Sequence, residues 1–168
     1  MNPLAEAALR DSLAQVRRRL ETVAPRDPCW LIGSAAAALA GADGFSPADL
    51  DLLTSARDAD AFAATYRDSI DDAYVPGDAG RFRSRFARFR FAPLPVEIMG
   101  GLEVFRDGVW QAIRVGSRMP CALLGDHLWL PSLDEQVRLL ESFGRAKDLE
   151  RARRLRAILE TKRQTDAA

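Results

Sequence analysis

The chain has little of what reactive sites are often built from: one histidine, His127, and two cysteines, Cys29 and Cys121, in 168 residues. A single possible cysteine pair excludes a disulfide framework and points to free thiols in a reducing compartment. His127, next to Asp126, reads as a loop residue rather than a ligand or a base. Excess charge of either sign is also lacking. Lys+Arg 24 balances Asp+Glu 24, so a nonspecific grip on nucleic acid is not the purpose of the whole chain. Long apolar runs are absent too. The longest uncharged stretch, 28–42, is too short to span a bilayer, and Glu6, Arg10 and Asp11 leave no room for the apolar region of a signal peptide. There is no internal repeat and no low-complexity linker. The expectation from these absences is a cytoplasmic protein with no membrane partner, folded as one domain over 1–168. Its hydrophobic content of 48% and charged content of 29% are ordinary for such a chain.

What is present starts with periodicity. Leu9, Leu13, Val16, Leu20 and Val23 recur at helical spacing and predict a helix over 4–23, ended by Pro25 and Pro28. Cys29–Ile32 reads as a short buried strand. Ser34 is placed to cap a helix over 35–40, which Gly41 closes. A loop over 44–47 leads into a second strand over 49–54. The stretch 58–70 reads as helix, and 74–80, with Pro76, Gly77 and Gly80, as a mobile loop. In the arginine–phenylalanine alternation that follows, Phe82 and Phe86 share one face and Phe89 and Phe91 the other. That phase change predicts a bulge between Phe86 and Phe89. Val96 to Met99 is a strand, broken by Gly100 and Gly101. Asp107-Gly108 marks a hairpin between 102–105 and 109–115. From Ser132 the chain is helical, with Gly144 separating 133–143 from 147–162. The expected fold is α/β (α+β). A core over about 28–115 carries a short mixed sheet with helices packed on one face, and a C-terminal helical part over about 132–162 forms a cleft wall.

The chemistry gathers in three places. Gly33 lets the backbone come close to a ligand, and the following N–H groups with the Ser34 hydroxyl suit an anion; a tight turn with a helix cap is the structural alternative. Asp49 and Asp51 alternate onto one strand face around Leu50. Two adjacent carboxylates repel each other unless a cation lies between them, which points to divalent metal; a polar strand edge is the alternative. Glu97 stands between Val96 and Ile98, where a carboxylate is paired or ligating. It can bind metal or take a proton from an attacking hydroxyl, or it can pair with Arg83, Arg85, Arg88 or Arg90.

Apolar-Gly33-Ser34, then Asp49-Leu50-Asp51-Leu52, then Val96-Glu97-Ile98 resembles the nucleotidyltransferase superfamily with the polymerase-beta-like core. Gly144-Arg145-Ala146-Lys147-Asp148-Leu149 is similar to an Arg-x-Lys-Asp element of its small bacterial members. The resemblance implies transfer of a nucleoside monophosphate from ATP or another nucleoside triphosphate, with two Mg²⁺ ions (or Mn²⁺). It implies that Gly33, Ser34 and Lys147 hold the nucleotide and that Asp49, Asp51 and Glu97 bind metal and carry the catalysis. The acceptor is a hydroxyl on a small molecule, a protein side chain or an RNA end. Two other functions compete with this reading. One is an inactive nucleotide-sensing or protein-interaction module with the same fold. The other is a nucleic-acid-binding protein using the strand from Arg81 to Arg90, although a solvated basic face is the plainer account of those arginines.

Overall fold

A computed structural model of the protein describes residues 2–78 and 80–166. Helix α1 spans Pro3–Val23. The Asn2 side chain accepts a hydrogen bond from the Ala5 N–H, and Pro3 sits where a missing N–H costs nothing. Leu9, Leu13, Val16 and Leu20 make its buried stripe, each contributing about 1.5–3 kcal/mol of burial. The helix ends at Ala24, in a left-handed conformation at φ 49°, one residue before the proline expected to stop it.

The sheet is built from β1 (Cys29–Ile32), β2 (Leu50–Thr54), β3 (Phe82–Phe89), β4 (Val96–Arg106), β5 (Val109–Ala112) and β6 (Leu128–Trp129). Its order is β3-β4-β2-β1-β6, with β5 paired to β4. β1 runs parallel to β6 and β2 parallel to β4, while β1–β2, β3–β4 and β4–β5 are antiparallel. The fold is therefore a mixed α+β one, as expected. Side-chain alternation divides the strands between two cores. Leu31, Leu50, Leu52, Val96 and Ile98 meet α1 and α3 (Ala56–Thr65). Ile32 and Leu53 meet α4 (Leu133–Phe143) and α5 (Ala146–Asp166) through Leu133, Val137, Leu140, Phe143, Ala152 and Leu155. The cleft described below opens on this second face, with the C-terminal helices as its wall.

Several local expectations differ from the structure. The helix after β1, α2, spans Gly33–Leu39 and has Ile32 at its cap position with no side-chain cap bond. Ser34 therefore lies inside the helix and does not cap it. The helix expected over 58–70 stops at Thr65 and gives way to a 3-10 turn at Arg67–Ser69. No bulge lies between Phe86 and Phe89. The register shifts between Arg83 and Arg85 instead, opposite Gly101, whose φ of +61° is a left-handed geometry that glycine adopts without strain. Both faces of β3 cover apolar matter, so phenylalanines on both faces need no phase break. The glycine pair accordingly does not break β4, which continues to Arg106. The hairpin at Asp107-Gly108 forms with both residues at positive φ, but β5 ends at Ala112. β6 was not foreseen. The expected mobile loop 74–80 includes Ala79, which lies outside the described residues; in the remainder, Tyr74 stacks on Phe86 and Asp78 pairs with Arg145.

Candidate active site

β2 and β4 run side by side in register, with Asp51 the Cα partner of Glu97. Leu50–Val96 and Leu52–Ile98, the pairs on either side, point into the α1/α3 core. The two carboxylates therefore face the other way, on adjacent strands. β1 completes the arrangement, because Ile32 pairs with Asp51 and places the Gly33 turn against the Asp51 side chain. Gly33 has φ +71°, and a Cβ there would collide with Asp51 Oδ2 and stand 3.4 Å from Asp51 Cγ. Only glycine fits this close approach.

Gly33, Ser34, Asp49, Asp51, Glu97 and Lys147 all line one cleft of about 790 Å³, a volume suited to a small-molecule ligand. Six candidate residues scattered over more than a hundred positions are thus brought together. Asp49 and Asp51 are half-buried, and Glu97 is 9% exposed. Burial, then the charges of Asp49 and Glu97, push the Asp51 carboxyl up to about 7, against the opposing pull of Arg145 and Arg151. A carboxyl that crowded by like charge suits a bound cation.

The compatibility with metal is unequal across the three acids. Asp49 and Asp51 suit a divalent ion, since like charge crowds the Asp51 carboxyl and both line the cleft. Glu97 instead accepts a hydrogen bond from Arg88 Nη1. Among the described residues no three His, Cys, Asp or Glu side chains form a group that could hold a metal ion. The pairing alternative for Glu97 is thus realised inside the cleft itself.

The same fold has been seen before. A solved structure from Thermotoga maritima, of a protein provisionally assigned as a nucleotidyltransferase, superimposes with a TM-score of 0.61 over 89% of this chain and 91% of that one, at 20% sequence identity. This chain has a nucleotidyltransferase-like fold. At that identity the likeness is one of fold. No protein-family model and no curated protein matches the chain.

Within this nucleotidyltransferase-like fold, the Arg-x-Lys-Asp element divides its labour. Asp148 is fully buried and accepts from Arg145 Nε at 2.6 Å and Nη2 at 3.1 Å. Arg145 Nη1 reaches Asp78 at 2.7 Å, and its guanidinium lies over the Phe82 ring. Asp148 is therefore a positioning residue; removing one partner of such a buried pair costs about 3–5 kcal/mol. Sequence reasoning missed Arg151, which lines the cleft. The signal was available, since Arg151 follows Lys147 by four residues on α5 and so shares its face. Tyr74, Phe82 and Phe86, which give the cleft an aromatic side, carried no such signal. Trp30 donates to the Ser117 carbonyl at 2.9 Å, and Cys29 is buried with its thiol pushed up to about 12 by burial and by Asp58. Both cysteines are free, and neither Cys29 nor Trp30 lines the cleft.

The arginines of β3, and Arg90 just after it, are largely paired. Arg83 meets Glu103, Arg85 meets Asp60, Arg88 meets Glu97 and Asp71, and Arg90 meets Asp71. These partners offset the basic face that nucleic-acid binding would need. Among the described residues no helix is long and apolar enough to cross a membrane.

The raised Asp51 carboxyl has a consequence for stability in metal-free protein. Its folded pKa, about 7, exceeds the unfolded value of about 3.9, so the folded state holds the proton more tightly. This contribution is complete below about pH 4 and is lost as pH rises through 7. Asp51→Asn should remove the dependence. In chelator, the variant is expected to melt at the wild-type temperature near pH 4 and roughly 2–5 °C above it at pH 8, with the effect discounted for the residue's exposed edge. Parallel melting curves for the two proteins across that range would rule this out.

Proposed function

We propose that this protein is a metal-dependent nucleotidyltransferase that moves a nucleoside monophosphate, AMP from ATP, onto a hydroxyl acceptor. The observation that carries the reading is the convergence of the Gly33 turn, Asp49, Asp51, Glu97 and Lys147 on one cleft; the fold likeness supports it. The Gly33-Ser34 turn would receive the outer phosphates, with Lys147 and Arg151 neutralising them from α5. This leaves the α-phosphate beside Asp49 and Asp51, which would hold Mg²⁺ or Mn²⁺. Two such ions, when bound, supply Lewis acidity that activates the acceptor hydroxyl and offsets charge on departing pyrophosphate. Glu97 stands next to Asp51 and, once Arg88 leaves it, would help hold the metal or accept the hydroxyl proton. Tyr74, Phe82 and Phe86 would pack on planar or apolar parts of the substrates and exclude water.

ATP is expected to bind at least about tenfold tighter with Mg²⁺ than with chelator, because metal offsets the repulsion between the phosphates and the cleft carboxylates. Isothermal titration in both conditions measures this. Equal affinities would remove metal from the site and the transferase reading with it. The Arg88–Glu97 bond favours a second reading, an inactive nucleotide-binding module. The two readings part on turnover: ATP labelled at the α-phosphate, offered with pools of metabolites, RNA and proteins, should pass label to an acceptor and release pyrophosphate. An inactive module would bind the nucleotide and transfer no label.

A further inference from the structure

Glu97 is committed to a partner. Arg88 stands opposite it in the β3–β4 register and bonds its Oε1 through Nη1. A second acid lies within reach of the same guanidinium, since Asp71 Oδ2 is 3.9 Å from Arg88 Nε. Asp71 is itself held by Arg90 Nη2 at 2.7 Å, and its backbone N–H donates to the Arg88 carbonyl at 2.7 Å. The Tyr74 ring lies against the guanidinium, with its centroid 4.1 Å from Arg88 Cζ. The three side chains are enclosed, at 17% exposure for Arg88, 5% for Asp71 and 11% for Glu97.

A buried guanidinium must keep an acid partner, and a buried acid must keep a cation. This network meets both conditions in two arrangements. With Arg88 on Glu97, Asp71 retains Arg90. With Arg88 moved onto Asp71, every group except Glu97 is still paired, and Glu97 then faces the cleft beside Asp51. The second arrangement becomes favourable when another cation takes Glu97.

We propose that Arg88 and a divalent cation compete for Glu97, with Arg88 holding the carboxylate in the resting protein and passing to Asp71 when the cation enters. This rests on the nucleotidyltransferase reading and adds a regulatory contact to it. Arg88 neutralises the third carboxylate while the cleft is empty, and the cleft gains its third free acid only as it is loaded.

The test is Mn²⁺ binding, followed by electron paramagnetic resonance on the full chain without nucleotide, with circular dichroism to check folding. Arg88→Met removes the competitor and is expected to tighten Mn²⁺ binding about tenfold. Asp71→Asn removes the waiting partner, holds Arg88 on Glu97 and should weaken binding several-fold. Through-space charge alone would give the same opposite signs, but additively; the exchange predicts that Asp71→Asn has no further effect in the Arg88→Met background, and additive effects there overturn it. Unchanged or weaker binding by folded Arg88→Met overturns it. If that variant does not fold, unchanged affinity in Asp71→Asn overturns it. Wild-type protein that binds Mn²⁺ neither alone nor with ATP would sink the transferase reading and the exchange together. Wild-type binding that neither substitution alters sinks the exchange alone.

Discussion

Asp51→Asn should cut nucleotidyl transfer by roughly two to four orders of magnitude while the protein stays folded. The substitution keeps the shape of the side chain and removes its charge. Asp51 is the residue at which the site's geometry meets: it is in register with Glu97 on β4 and with Ile32 on β1, and the Gly33 turn lies against its Oδ2. The crowding that raises its carboxyl to about 7 is relieved by a bound cation or by the amide. Only the cation serves the transfer. The same variant should therefore gain stability at pH 8 and lose activity, the trade-off expected where a site holds like charges together. ATP affinity measured in chelator should change less than about tenfold, because the phosphate contacts assigned to Ser34, Lys147 and Arg151 remain. The measurement is release of pyrophosphate and transfer of α-labelled nucleotide at saturating ATP. Transfer within tenfold of wild type would remove Asp51 from the mechanism.

Gly33→Ala should disturb the site more than its size suggests. An added Cβ collides with Asp51 Oδ2, and alanine must also adopt φ +71°, which costs about 1–2 kcal/mol. Either the β1–α2 turn or the Asp51 side chain must move. The expected result is a drop in melting temperature of at least several degrees, with the metal-dependent part of ATP binding lost. A double-mutant cycle separates the two causes. In an Asp51→Ala background the clash partner is gone, so Gly33→Ala should then cost only the backbone strain, leaving a coupling of about 0.5–3 kcal/mol between the positions. Additive effects of the two substitutions would show that the turn and the carboxylate act independently.

Much of the candidate site was legible as residue types at particular spacings. Asp49 and Asp51 flank Leu50, so alternation alone puts them on one face, and Leu50 and Leu52 duly enter the opposite core. An acid framed by Val96 and Ile98 cannot lie in a buried strand without a partner, and it has one. The secondary-structure boundaries were less legible where tertiary packing supplied the deciding term. β4 runs through Gly100 because β2 and β3 pair with it on both sides, where ladder bonds outweigh the poor strand propensity of glycine, and through Gly101 at the register shift. The 3-10 turn at Arg67–Ser69 follows a similar logic. Its carbonyl at Ser69 receives the Arg90 N–H at 3.0 Å, a long-range contact with no local trace.

Local chemistry determined what the sequence alone could say about this protein: the helix stripes, the Gly-Ser turn, the paired aspartates and the Asp-Gly hairpin. Each depends on interactions within a few residues, where periodicity and backbone preference dominate. Which of four nearby arginines would take Glu97 was open in the sequence, because pairing across strands depends on register. The structure chose Arg88 because β3 aligns it opposite Glu97. Likewise, only the folded chain brings Arg151 and Lys147 on α5 over a turn more than a hundred residues earlier. Contacts at that separation are decided by how the C-terminal helices bury Leu140, Phe143 and Leu155 against the sheet, a packing result with no signature in the spacing of the residues it brings together.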